Sequence, residues 1–112
     1  MDFQKDVQIQ IGDSCYLDLF REVLIKSGLV IKLSRPQFRL LHLLARNLGQ
    51  PVTSADLISY AWRGEECIDK NSLHVCIGRI RRMLEEDPRN PQSLISLRKV
   101  GYILFFTKDA RG

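Results

Sequence analysis

The chain has 112 residues, 45% hydrophobic and 27% charged, a size for one compact unit and a balance that excludes wholesale disorder. Its net charge of +4 is modest but uneven. Residues 1–34 carry four basic and five acidic side chains, whereas Lys70, Arg79, Arg81 and Arg82 are opposed only by Asp69 within 69–82, and Arg98, Lys99, Lys108 and Arg111 only by Asp109 within 93–112.

The first third alternates. Val7, Ile9 and Ile11 are separated by Gln8 and Gln10, the period-two pattern of a half-buried strand. Gly12-Asp13 marks a turn, after which Cys15, Leu17 and Leu19, or else Tyr16 and Phe20, face a core from a second strand. Val23 to Lys26 and Leu29 to Leu33 flank Ser27-Gly28, a short hairpin turn, so four antiparallel strands are expected.

A helix follows. Ser34 and Gln37 have the spacing of a capping box, Pro36 falls in the first turn, and Leu33 and Phe38 stand where a hydrophobic staple would. Phe38, Leu41, Leu44, Ala45 and Leu48 keep helical spacing, and Gly49 and Pro51 close the element. Thr53 begins a second helix with Asp56 at the reciprocal capping position and Leu57, Ile58, Ala61 and Trp62 as its buried face. After a loop over 63–68, a third helix is expected over 69–86, with Leu73, Ile77, Ile80 and Leu84 forming one apolar stripe. Pro88 and Pro91 follow, then two strands, 94–98 and 102–107, around Lys99-Val100-Gly101. The order is that of an α+β winged helix-turn-helix: N-terminal four-stranded antiparallel sheet, three helices, C-terminal β-hairpin wing. One domain over 1–112 with its core at about 7–107 is expected.

The third helix carries the chemistry. At about 100° per residue, the side opposite its apolar stripe collects Asn71, Ser72, Val75, Gly78, Arg79 and Arg82, with His74 on the border. Arg binds guanine O6 and N7 bidentately, Asn suits adenine, and Val meets a thymine methyl. A solvated helix face has the same charge pattern. Lys70 and Arg81 lie nearer the buried edge and suit structural or phosphate roles. Gly78 costs on the order of 1 kcal/mol relative to Ala; either it permits a close approach or it is a tolerated weakness. Arg98 and Lys99 sit at the hairpin tip, where basic side chains serve a minor groove or protect an exposed edge. Glu85, Glu86 and Asp87 read as a solvated helix end, and His42 as a structural residue within the apolar run of the first helix.

Catalytic and metal chemistry have no signal. Cys15, Cys67 and Cys76 are an odd set without a C-x-x-C pair, which argues against a zinc site or a disulfide framework. His74 and Cys76 stand two apart on a helix and point away from each other. No phosphate loop or nucleophile motif is present, so neither an enzyme nor a cofactor is expected. No apolar run reaches the roughly 18–20 residues of a membrane span, and Met1 to Lys5 lacks a signal-peptide layout, so a cytoplasmic protein without a membrane partner is expected.

Four segments resemble the C-terminal effector domain of OmpR/PhoB-type response regulators over about residues 7–107: 33–41, from Leu33 to Leu41; 50–62, from Gln50-Pro51-Val52-Thr53 to Ala61-Trp62; 71–84, from Asn71 to Leu84; and 95–102, ending in Gly101-Tyr102. The resemblance implies that the third helix reads the major groove of double-stranded DNA and the wing contacts the minor groove. By position, Arg79 is the base- or phosphate-contacting arginine, Arg98 the wing arginine and Ser96 a phosphate contact. Loop 63–69 matches a segment that in some members touches RNA polymerase. It implies a bacterial transcription regulator, monomeric alone and paired head to tail on DNA. The chain departs from the pattern at Gly78 and Asn71, where many members carry arginine, at Lys99, where many carry glycine, and in lacking a receiver domain within these residues. The competing class is a winged-helix protein-interaction module without DNA binding.

Overall fold

The computed structural model describes residues 7–65 and 68–108, an α+β fold. The alternating N-terminal third forms a meander of β1 (Gln8–Gly12), β2 (Cys15–Asp18), β3 (Val23–Lys26) and β4 (Leu29–Lys32), antiparallel and in the order β1-β2-β3-β4. The two possible faces of β2 are resolved: Cys15 and Leu17 are buried, whereas Phe20 is 83% exposed in the turn beyond it. That turn is held by Asp18, whose carboxylate accepts from the Phe20 amide (3.0 Å), the Arg21 amide (2.9 Å) and Arg21 Nε (2.9 Å). These bonds, the Arg21 amide foremost, hold the Asp18 carboxyl below its ordinary range. Ser27 and Gly28 both take positive φ at the β3–β4 turn.

The helix punctuation reads as the sequence spells it. α1 (Arg35–Arg46) starts at Ser34, whose Oγ accepts from the Gln37 amide (3.3 Å) while Gln37 Oε1 accepts from the Ser34 amide (2.9 Å), closing the capping box. The helix ends earlier than the apolar spacing suggests: Asn47 is its C-cap, with Nδ2 donating to the Leu43 carbonyl (2.8 Å), and Leu48 packs from the turn that follows. α2 (Ser54–Ala61) is capped by Thr53 Oγ1, which accepts from the Asp56 amide (3.1 Å).

α3 spans Lys70–Leu84, within the expected 69–86, with Asp69 as N-cap and Glu85 as C-cap. The solvated acidic end read from the sequence holds for Glu86 and Asp87, which are exposed, and is corrected at Glu85. Glu85 is 7% exposed, and its carboxylate accepts from the backbone amides of Gln92 (2.9 Å), Ser93 (3.1 and 3.2 Å) and Leu94 (2.8 Å). The carboxylate is buried because it satisfies amides of the connection that turns the chain back into the wing.

The C-terminal strands are shorter than expected: β6 is Leu94–Leu97 and β7 is Gly101–Leu104. They belong to a three-stranded sheet of order β5-β7-β6, whose third member, β5 (Val52–Thr53), is too short to show periodicity in the sequence. Val52 pairs with Tyr102 and Thr53 with Gly101. Gly101 is required there, since a Cβ would collide with the Val52 carbonyl. Beyond β7, Thr107 bridges to Gly12 and so links the two sheets. One core joins all layers: Ile11, Leu17 and Leu24 from the first sheet, Leu40, Leu41 and Leu44 from α1, Leu57 from α2, Ile77 and Ile80 from α3, and Leu94 and Leu104 from the wing.

Candidate nucleic-acid interface

The apolar stripe sets the orientation of α3. Leu73, Ile77, Ile80 and Leu84 are at most 2% exposed, so the opposite face of the helix turns outward. Asn71, Val75, Arg79 and Arg82 are exposed there. Ser72 is half-buried, and its hydroxyl and amide both donate to Asp69 Oδ1 (3.3 and 3.0 Å) at the helix start. The Ser72 amide is the main cause that lowers the Asp69 carboxyl from its ordinary range. Gly78 lies on this face, and a Cβ added there would have no heavy atom within 4 Å. No close approach inside the chain accounts for it.

The wing tip brings a second set of cations to the surface. Arg98, Lys99 and Val100 are exposed, and Lys99 occupies the left-handed region at φ 64. The turn at 98–100 lies where Arg98 and Lys99 are expected at the tip, and Lys99, not a glycine, takes the left-handed conformation there. Among the described residues, no hydrogen bond or ion pair engages the side chains of Arg79, Arg82, Arg98 or Lys99. Asp69 and Glu85, the acids at the two ends of α3, are committed elsewhere, Asp69 to Ser72 and Glu85 to the amides of 92–94.

Helix and wing meet through side chains. Tyr102 Oη lies 3.1 Å from His74 Nδ1. Arg81 Nε donates to the Leu94 carbonyl (3.0 Å), its Nη2 donates to Ser96 Oγ (2.9 Å), and its guanidinium stands 6.0 Å from the Tyr102 ring centroid. Arg81 therefore has the structural role that its place near the buried edge suggested. His74 and Ser96, expected among the DNA-contacting residues, are exposed and also have partners within the chain. Burial pushes the Tyr102 phenol up, with the Arg81 charge acting against it, so the hydroxyl stays protonated near neutrality. Nothing in the local sequence marked Tyr102 as the residue that joins the two elements.

Other candidates resolve as structure. His42 Nδ1 bonds to Tyr60 Oη (3.0 Å), and burial, then Arg46 and Arg63, lower its pKa. Cys15 and Cys76 are buried thiols pushed up to about 11. Among the described residues no group of three or more His, Cys, Asp or Glu could hold a metal. A groove of about 310 Å³ runs between the start of α1 (Ser34, Pro36, Gln37) and Asn71, Val75 and Arg79 of α3. Another cavity, of about 660 Å³, lies at the other end of α3 beside Leu84, Glu85 and Phe106.

A helix pair carrying an outward-facing basic helix, followed by a basic hairpin, defines a winged helix-turn-helix module. The chain belongs to the family described as "Transcriptional regulatory protein, C terminal", whose model matches residues 28–104, and it is an OmpR/PhoB-type effector domain. Members of this family are DNA-binding regulatory domains, not catalysts. The chain is 38% identical over 88 residues to the sensory transduction protein RegX3 of Mycolicibacterium smegmatis, covering 79% of this chain and 39% of that protein. It spans 39% to 44% of the length of the first curated relatives it matches. Response regulator DrrB of Thermotoga maritima, an OmpR/PhoB homologue, superposes with a TM-score of 0.79 at 27% identity, over 88% of this chain and 44% of that one. The DNA-binding domain of RstA from Klebsiella pneumoniae, solved in complex with the RstA box, gives 0.72 at 27% identity, over 88% and 96%. No helix among the described residues is long and apolar enough to cross a membrane.

Proposed function

We propose that the chain is one winged-helix unit, with its core at about 7–107, that binds double-stranded DNA in a sequence-specific way for a bacterial transcription regulator. The observation that carries this reading is the set of cations without partners on two separate elements, Arg79 and Arg82 on α3 and Arg98 and Lys99 on the wing. Asp69 and Glu85 at the ends of α3 are used inside the fold, and the four cations on these adjoining elements keep their donors for an outside partner. In this reading α3 enters the major groove, with Asn71, Val75 and Arg79 at base edges, and Ser72 and Arg82 at its flanks. Gly78 leaves the backbone of α3 bare in the middle of that face. His74 and Ser96 stand at the junction with the wing, and Arg98 and Lys99 reach the minor groove and its phosphates.

The protein is proposed to be cytoplasmic, monomeric alone, and paired head to tail on half-sites about one helical turn apart. Loop 63–69 is proposed to meet RNA polymerase; two of its residues, Glu66 and Cys67, lie outside the described residues. Titration of a labelled duplex, selected from a random pool, at several salt concentrations tests the reading. The logarithm of affinity is expected to fall by roughly 0.9 per phosphate contact for each unit in the logarithm of salt. Undetectable duplex binding at low salt overturns it and favours a protein-docking module.

A further inference from the structure

We infer that His74 and Arg81 act as positioning residues, clasping one rung of the wing so that the recognition helix and the wing tip engage DNA as a single rigid body. The inference rests on the DNA-binding reading above. Ser96 and Tyr102 are directly opposed across the β6–β7 ladder, so their side chains share one face of the hairpin. His74 and Arg81 are seven residues apart on α3, two turns along one face and roughly 10 Å from each other. One holds the Tyr102 end of the rung (3.1 Å) and the other the Ser96 end (2.9 Å), with a further bond from Arg81 to the Leu94 carbonyl at 3.0 Å.

Two points of attachment resist rotation where one would act as a pivot. The pairing of β5 with β7 already ties the hairpin to the start of α2, but it does not touch α3. Glu85 holds the foot of β6 at the end of α3, and the clasp acts nearer the tip, where it sets the angle between the helix carrying Arg79 and the strand that leads, two residues after Ser96, to Arg98.

The functional consequence is coupling. In a rigid body, a shift of the docked helix on loss of its arginine contact also displaces the wing arginine, and the reverse holds equally, so each single loss carries part of the other contact with it. The losses caused by Arg79→Ala and Arg98→Ala are then not independent, and the double variant loses less than the product of the two single losses.

The test is a double-mutant cycle of Arg79→Ala and Arg98→Ala on the selected duplex, in the wild-type chain and in a Tyr102→Phe, Ser96→Ala background. Both background changes preserve charge and remove one polar atom from each arm of the clasp. Any direct phosphate contact of Ser96 is lost at all four corners of the cycle and cancels. In the wild type the two arginines are expected to be coupled by about 5-fold or more; with the clasp cut, the coupling falls toward unity. A role confined to stability would lower the melting temperature and leave the coupling unchanged. Should the double background fail to fold, Tyr102→Phe and Ser96→Ala alone are each expected to reduce the coupling part of the way. A wild-type chain that binds duplex, with coupling absent or equal in the intact and cut backgrounds, overturns the clasp. A wild-type chain that binds no duplex overturns the DNA-binding reading, and the clasp's role falls with it.

Discussion

The two ends of α3 are built on opposite terms. Its C-terminal end is tied down: Lys26 Nζ donates to the carbonyls of Met83 (3.2 Å) and Leu84 (2.8 Å), Glu85 gathers the amides of 92–94, and Arg81 reaches the wing. A cation from the first sheet thus meets the negative end of the helix dipole and satisfies carbonyls that the helix leaves open. On the N-terminal and central outward face, Asn71 and Arg79 are exposed and their side-chain donors are left open among the described residues. One end of the helix uses its charges to fix position, and the other holds them ready for something outside the chain. The comparison teaches that charge on a helix separates into anchor and probe by what lies opposite each residue, not by residue type. Arg79, Arg81 and Arg82 are near neighbours in sequence, and Arg81 alone is an anchor.

The largest expected effect falls on the anchored end. Glu85→Ala removes a buried acceptor and leaves the amides of 92–94 without partners, so it is expected to cost about 2–4 kcal/mol in stability. Urea unfolding followed by circular dichroism measures it, and a loss under 0.5 kcal/mol would mean that water replaces the carboxylate and that this end is not an anchor. Arg79→Ala, on the open face, reverses the pattern. It is expected to cost about 1–3 kcal/mol in affinity for the best duplex and to relax preference at one base position. Its melting temperature is expected to match that of the wild type, because no partner within the chain is lost. A drop in stability without a drop in affinity would place Arg79 among the anchors. The smallest effect is a gain. With space around its missing Cβ, Gly78→Ala is expected to raise stability by about 0.5–1 kcal/mol through helix propensity alone. Destabilisation in the same urea experiment would show that the open face is more crowded than the geometry allows.

Much of the fold was legible because it is local. Ser34 and Gln37 are three residues apart, and their reciprocal bonds depend on nothing else. The spacing of Leu73, Ile77, Ile80 and Leu84 fixes which side of α3 is buried, and with it the outward placement of Asn71, Val75, Arg79 and Arg82. The alternation at 7–11 and the turn at Ser27-Gly28 announce the first sheet for the same reason. The family is written in these local patterns too, since the order of caps, stripes and turns carries the resemblance.

Tertiary structure decided what spans distance. Lys26 meets Leu84 across 58 positions, His74 meets Tyr102 across 28, and Arg81 meets Ser96 across 15. No periodicity records such pairs, because each depends on where two independently formed elements come to rest. For that reason Glu85 read as part of a solvated end, the partners of His74 and Ser96 within the chain went unseen, and Thr53 read only as a helix start, until the packed core brought β5 against β7 and carried the return of the chain past the end of α3. By itself the sequence determined which faces turn inward and which outward, since hydrophobic burial follows the period of the backbone. Which outward charges remained open was decided by three-dimensional proximity, since a buried amide or an open helix carbonyl recruits whichever charged group the fold places beside it.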